Sequence, residues 1–232
     1  MCVRYTLHKT DAALGAISRA LGEPLEVPDW APRYNITLTD FAPVVARSGA
    51  AAAVRLMRWG LVPENERANP RPRLLANARA ETVASLPAFR RAAAGRRCLV
   101  PANGFYEWLS RGTAKLPYLF TLRGEEPFAL AGIWDPASDG LPETYCLLTT
   151  APNEVMAPVH DRMPVILTAE TMPRWIGDQP LAPGELVALT RPIDPGLMES
   201  RPLGRYVSNS RNQGPACLDG PDAPREGEFN FG

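Results

Sequence analysis

Cysteine and histidine are scarce in this chain. Its 232 residues include four cysteines and two histidines. Cys2, Cys98, Cys146 and Cys217 lie far apart and form no C-x-x-C pair, and neither His8 nor His160 stands at a zinc-ligand spacing from them. No structural zinc and no other cofactor is therefore expected. A disulfide framework is not expected either in a cytosolic chain of this size. No stretch of 18 apolar residues occurs, so no membrane-spanning helix is expected. The first residues lack a basic start followed by an apolar run, so no signal peptide is expected and a reducing cytoplasmic setting is the default. The sequence has no Gly-rich phosphate loop, which weighs against nucleotide hydrolysis. Net charge is also missing: 25 basic residues balance 25 acidic ones, which argues against a generally basic nucleic-acid coat.

What is present is apolar mass broken by turns. Hydrophobic residues make up 45% of the chain, enough for a filled core, and 25 prolines and 18 glycines imply short elements. Charge is unevenly placed. Arginines 55, 58, 67, 71, 73, 79, 90, 91, 96 and 97 face only Glu64, Glu66 and Glu81 between residues 51 and 100. Such a window either forms a local phosphate-binding patch or is scattered over a solvated surface. Strands are predicted at "VRLMRWGL" (54–61), "RCLVPANGFYEWL" (97–109), "YLFTL" (118–122), "FALAGIW" (128–134) and "TYCLLTT" (144–150). A hairpin turn is expected within 46–55 and a surface loop over 64–73. Helices are predicted at 14–21 and 168–176, with two short ones over 80–94 broken at Pro87. The segment 148–164 reads as irregular, with one helical turn at 152–156.

Many short strands and few helices, without a βαβ rhythm, point to the α+β class around a curved or barrel-like sheet. No internal repeat or long linker divides the chain. The polar, Gly/Pro-rich stretch after Cys217 reads as a loose tail.

Four places carry chemistry. In "GFYEW", strand alternation puts Phe105, Glu107 and Leu109 on one face, and Tyr106 and Trp108 on the other. A carboxylate on a mostly apolar face needs a partner or a task, so Glu107 is either a general acid–base group or the partner of an arginine. In "NARAET", Asn77 can donate and accept at an oriented group and Arg79 can grip a phosphate; alternatively the string opens a helix. His160, in "PVHDRMP", lies in an irregular segment with Asp161 and Arg162, a common setting for functional residues. Trp59, Trp108 and Trp134 are strand tryptophans, of which one or two at a rim can stack bases of a single strand. Finally, "MCVRYTL" opens the chain, and removal of Met1 would give Cys2 a thiol and an α-amine on adjacent carbons.

"MCVRY", "RYNIT", "WGLVP", "NARAET", "RRCLVPANGFYEW", "PYLF", "LAGIWD", "TTAPNEVMAPVHDRMPVIL" and "VSNSRNQGPACL" follow one another in this order. Together they resemble the SOS-response-associated peptidase (SRAP) family, which shields abasic sites in DNA. The resemblance covers about residues 2–218 and implies a single α+β domain over that span. Its β core would be barrel-like and mostly antiparallel, with short flanking helices, leaving 219–232 as the tail. It implies methionine removal and covalent linkage of Cys2 to abasic sites in single-stranded DNA. It assigns Cys2 as the nucleophile, completed by Asn77, Glu107 and His160. Arg4, Arg79 and Arg162 would hold DNA, and Trp108 would stack a base. The implied partner is single-stranded DNA with abasic sites; a monomer is the default expectation, in the cytoplasm and on the nucleoid when bound to DNA.

The residue chemistry fits. An α-amine with pKa about 7.7–8.0 is partly neutral at physiological pH and attacks an aldehyde to give an imine. The neighbouring thiol can then close a five-membered thiazolidine, which lysine cannot do. β-Elimination from the imine and release of the initiator Met are implied side activities. The sequence departs from the family at Val3, where glycine is usual. It also lacks the proline of "RYNIAPT", reading "RYNITLT", and carries Asn65 about where a tryptophan often follows "WGLIP". These changes bear on DNA affinity and leave each reactive group in place. Two other readings compete: a thiol peptidase acting on proteins, and a non-covalent single-strand binding module.

Overall fold

The computed structural model describes residues 4–47, 49, 51–138 and 140–221. The chain opens with β1 (Arg4–Leu7) and passes at once into α1 (Thr10–Leu21). The apolar stripe of α1, with Ala13, Leu14 and Ile17 buried, lies inside the window read from sequence. The helix also extends N-terminally by a turn whose Asp11 suits the positive helix end. Gly22 closes it in the left-handed region at φ 66°, donating back to the Arg19 carbonyl at 3.3 Å. Then come β2 (Arg33–Thr37), β3 (Phe41–Arg47) and β4 (Ala52–Trp59), with the β3–β4 turn where the hairpin is predicted.

β5 (Asn77–Arg79) is short. Only the second of the two helices predicted over 80–94 forms, as α2 (Arg90–Gly95). Residues 80–88 are hydrogen-bonded turns instead. There the Ser85 hydroxyl donates to the Thr82 carbonyl at 3.0 Å and so competes with the helical ladder, and Pro87 cannot join it. The run 97–109 splits into β6 (Arg97–Ala102) and β7 (Gly104–Arg111), which belong to different sheets. Asn103 makes the switch: its Oδ1 accepts from the backbone N–H groups of His8 and Lys9, both at 2.8 Å. Gly104 is required beside it, because a Cβ there would stand 2.9 Å from Leu119 and 3.0 Å from the Phe120 carbonyl oxygen.

β8 (Ala114–Leu122), β9 (Phe128–Asp135) and β10 (Thr144–Thr150) follow, then β11 (Met163–Pro164), β12 (Ile166–Leu167), α3 (Met172–Ile176), α4 (Pro183–Leu189) and β13 (Met198–Pro202). The helical turn expected at 152–156 sits slightly later. Asn153 starts it, its Oδ1 accepting from Met156 N–H at 3.1 Å, and His160 N–H closes it on the Met156 carbonyl at 3.1 Å.

Two sheets organise these elements. One has the order β13-β8-β7-β1-β2 and is antiparallel throughout. In the other, β10, β4, β3, β6 and β9 pair in succession, and β9 pairs again with β10, closing a ring. The barrel-like core expected from sequence is this ring; β10 runs parallel to β4 and β5, and the remaining pairings are antiparallel. The largest apolar cluster joins the ring to the first sheet through Tyr5, Trp59, Phe105, Phe120 and Tyr145. A second cluster packs α1 and α3 against the outside of the ring through Leu14, Ile17, Leu99, Ile133 and Trp175. A third covers the far face of the first sheet, with Tyr106, Leu119, Leu203, Val207 and Cys217. Among the described residues, no helix is long and apolar enough to cross a membrane.

Candidate functional site

Among the described residues, β1 pairs with β7 at Tyr5–Phe105 and Thr6–Gly104. β7 runs on past the position opposite Arg4, and its next side chains are Glu107 and Trp108. A cleft of about 810 Å³ lies there. Arg4, Glu107, Trp108 and His160 all line it, so the structure brings together four residues singled out in the sequence. The predicted alternation holds: Phe105 belongs to the core between the sheets, while Tyr106 and Trp108 belong to the third cluster. Glu107 is 4% exposed, which makes it a buried carboxylate at the cleft wall.

Arg4 and Trp108 form a cation–π pair, with the guanidinium carbon 4.9 Å from the ring centroid. Both are held by the short 3-10 helix Arg205–Ser208. Arg4 Nη1 donates to the Val207 carbonyl at 2.5 Å, and Trp108 Nε1 donates to Ser208 Oγ at 3.0 Å. That helix is in turn fastened from β2. Asn35 is fully buried, and its Nδ2 donates to the carbonyls of Val207, Asn209 and Asn212 at 3.2, 3.0 and 3.2 Å. Gln213 completes the clasp: its Oε1 accepts from the N–H groups of Tyr34 and Asn35, and its Nε2 donates to the Asn35 carbonyl at 2.7 Å. Sequence reasoning missed Asn35 and Gln213 as site-building residues. Their one visible trace is that "RYNIT" and "VSNSRNQGPACL" both contain amides.

His160 follows the 153–160 turn. Its Nδ1 accepts from the Arg162 N–H at 3.0 Å and lies 2.8 Å from Asp161 Oδ1. The first contact leaves the proton of a neutral imidazole on Nε2, whereas a protonated Nδ1 can donate to Asp161.

Asn77 and Arg79 lie on β5, opposite Leu147 and Thr149 of β10. Beneath Asn77, Trp59 Nε1 donates to the Ala76 carbonyl at 2.9 Å, and Tyr5 and Tyr145 share a 2.7 Å hydroxyl contact. Burial and the neighbouring Tyr5 push the Tyr145 hydroxyl well above the usual phenol range, so it remains neutral. Arg162 makes a two-pronged ion pair with Glu81 at 2.7 and 2.8 Å and donates to the Thr149 carbonyl at 2.6 Å. Arg79 acts on the same carboxylate: Glu81 is held below the ordinary glutamate value, first by the Arg162 hydrogen bond and more weakly by the charge of Arg79. Cys2 lies outside the described residues.

The arginines of 51–100 do not gather into a single patch. Arg55 pairs with Glu143 and lies over Trp134, and Arg67 and Arg96 both grip Asp135 at 3.2 and 2.5 Å. Arg91 pairs with Glu64. Arg97 is 3% exposed and donates to the carbonyls of Trp175, Ala93, Ala94, Gly177 and Gln179. It is a structural arginine that pins the end of α3. Among the described residues, no group of three or more His, Cys, Asp or Glu side chains is placed to hold a metal ion.

A family model described as SOS response associated peptidase (SRAP) matches residues 1–210. The chain belongs to the SRAP family. It is 31% identical over 224 residues to abasic site processing protein YoqW of Bacillus subtilis (strain 168), a match covering 94% of this chain and 99% of that protein. It is also 31% identical over 189 residues to abasic site processing protein HMCES of Gallus gallus, covering 70% of this chain and 56% of that protein. A crystal structure of a protein from Bacteroides thetaiotaomicron superposes with a TM-score of 0.77 at 24% identity, covering 94% of this chain and 99% of that one. Four of the SRAP motifs quoted from the sequence meet at the cleft: "MCVRY" supplies Arg4, "GFYEW" supplies Glu107 and Trp108, "PVHDRMP" supplies His160, and "VSNSR" belongs to the helix that holds Arg4 and Trp108, whereas Asn77, Arg79 and Arg162 are not among the lining residues.

Proposed function

We propose that this chain captures abasic sites in single-stranded DNA covalently through Cys2 after removal of Met1. One observation carries the reading. Buried Glu107 and partly exposed His160 share a cleft with the Arg4–Trp108 pair at the very start of β1. Cys2 precedes Arg4 by two residues, and two residues of fully extended chain span only about 7 Å. The relatives' names, abasic site processing proteins, support an abasic site as the target.

In the proposed sequence, the Cys2 α-amine adds to the aldehyde of the ring-opened sugar. The resulting carbinolamine loses water to give an imine. The thiol then adds across the C=N bond, its proton passing to nitrogen, and a thiazolidine closes with net release of one water. Glu107 and His160 move the protons, and Asn77 orients the amine or the sugar hydroxyls. Arg4, Arg79 and Arg162 hold the phosphate backbone, with Arg162 exchanging its Glu81 contact for phosphate, while Trp108 stacks a base. The imine also acidifies the adjacent sugar carbon, so strand cleavage by β-elimination is a side activity that ring closure suppresses. Release of the initiator Met, by the protein itself or by an aminopeptidase, precedes capture. The functional unit is residues 2–218, acting as a monomer.

The test uses purified protein and a single-stranded oligonucleotide with one abasic site, resolved on a denaturing gel. A heat-resistant shifted band that Cys2→Ala abolishes is expected. Protein shown by intact mass to have lost Met1, yet forming no adduct, would overturn the reading.

A further inference from the structure

We propose that Lys115 and Arg205 form a second phosphodiester-binding subsite at the outer end of the cleft, one nucleotide from the base stacked on Trp108. The subsite deepens the proposed function and rests on it for the position of the lesion. Both side chains are exposed, and both line the cleft with Glu107 and His160. Neither takes part in an ion pair among the described residues, unlike Arg55, Arg67, Arg91, Arg96 and Arg162.

Register and helical geometry place both cations about one step from the Trp108 ring. In the β7–β8 hairpin, Trp108 faces Pro117 and Ser110 faces Lys115. Lys115 therefore shares the Trp108 face, two residues further along, which is about 7 Å in an extended strand. Glu107, which lines the same cleft, stands on the opposite face of β7 from Trp108. On the other bank, Ser208 accepts the Trp108 indole N–H, and Arg205 stands three residues earlier in the same 3-10 helix. Side chains three apart in a 3-10 helix eclipse, at about 6 Å of rise. The two cations thus flank one end of the cleft, and the hydroxyls of Ser110 and Thr113 add donors there. An anionic, extended, sequence-independent ligand fits this wall, and a phosphodiester of single-stranded DNA is that ligand.

The test measures binding by fluorescence anisotropy with the full chain, the Lys115→Gln and Arg205→Gln variants, and the double variant. Because both positions are exposed, unchanged far-UV circular dichroism is expected. In the first arm, an undamaged single-stranded oligonucleotide is titrated at 50 and 200 mM salt. One lost phosphate contact lowers the salt slope by about 0.7, so the affinity loss across this range should be roughly 2.5-fold smaller for the double variant. In the second arm, the oligonucleotide carries a tetrahydrofuran abasic analogue, which cannot open to an aldehyde. One neutral methylphosphonate is placed next to it, on either side in separate oligonucleotides. For one of the two, wild type should fall to the affinity of the double variant, and the double variant should not respond to the neutral linkage. An unchanged salt slope, or a neutral linkage that weakens both proteins equally, overturns the subsite. Failure of wild type to cross-link an authentic abasic site would instead overturn the covalent reading, leaving the first arm to decide the subsite.

Discussion

Replacing Asn35 by alanine should loosen the site from a distance. The Asn35 side chain is fully buried, and its amide reaches three carbonyls of the segment that holds Arg4 and Trp108. None of the three would be orphaned by its loss. Val207 O keeps Arg4, Asn209 O keeps the Asn212 N–H at 3.1 Å, and Asn212 O keeps the weak Cys217 thiol donor at 3.6 Å. The cost is therefore that of two amide N–H groups' bonds and a small void, about 2 kcal/mol. For a domain of this size that corresponds to a fall in Tm of roughly 4–8 °C. Thermal and urea unfolding measure this part. The functional part is read at a temperature where the variant is folded: single-strand DNA affinity and cross-linking rate should both fall, because the Val207 and Ser208 anchors are no longer fixed. A variant with unchanged Tm would refute the energetic argument. A destabilised variant that binds and cross-links like wild type would refute the positioning role.

Other outcomes follow from the same contacts. Glu107→Gln keeps the shape of the side chain but cannot move a proton, so adduct formation should slow by about 100-fold or more, with little change in Tm. Arg97→Leu removes five donations from a buried guanidinium and leaves carbonyls at the end of α3 without that partner, costing about 3 kcal/mol in urea unfolding. The Glu81–Arg162 pair makes a pH prediction. Glu81 is held low in the folded state, so the unfolded chain takes up the proton first as pH falls. The pair's stabilisation is complete above the unfolded glutamate pKa of about 4.3 and is lost as pH drops through the lower folded value. Between about pH 5 and pH 3, wild-type Tm should fall more steeply than that of Glu81→Gln; parallel curves would contradict the assignment.

Local pattern carried much of this molecule. Strands 128–134 and 144–150 match β9 and β10 closely, because their residues are buried and β-forming along their whole length. The alternation through "GFYEW" correctly separated Glu107 from Trp108, since period two is a property of any strand. The run 97–109 reads as one strand because nothing in its composition marks a change of sheet. Asn103 makes that change through bonds to His8 and Lys9, which are remote in sequence. Composition predicts a helix where 80–88 forms turns, because the competition of the Ser85 hydroxyl for the Thr82 carbonyl is weak until the chain around it is placed.

The sequence by itself determined the class, the order of the main strands and the family, because alternation, turn chemistry and motif order are written locally. Tertiary structure decided which cations face the cleft and which are already engaged. Arg162 reaches Glu81, Arg97 is buried under α3, and Lys115 and Arg205 flank the Trp108 face. It also decided that Asn35 holds the loop carrying Val207 and Ser208, more than 170 positions away. A hydrogen bond between such distant residues leaves no periodic trace in the sequence; only the folded register of β2, β7 and the 205–213 segment brings donor and acceptor together.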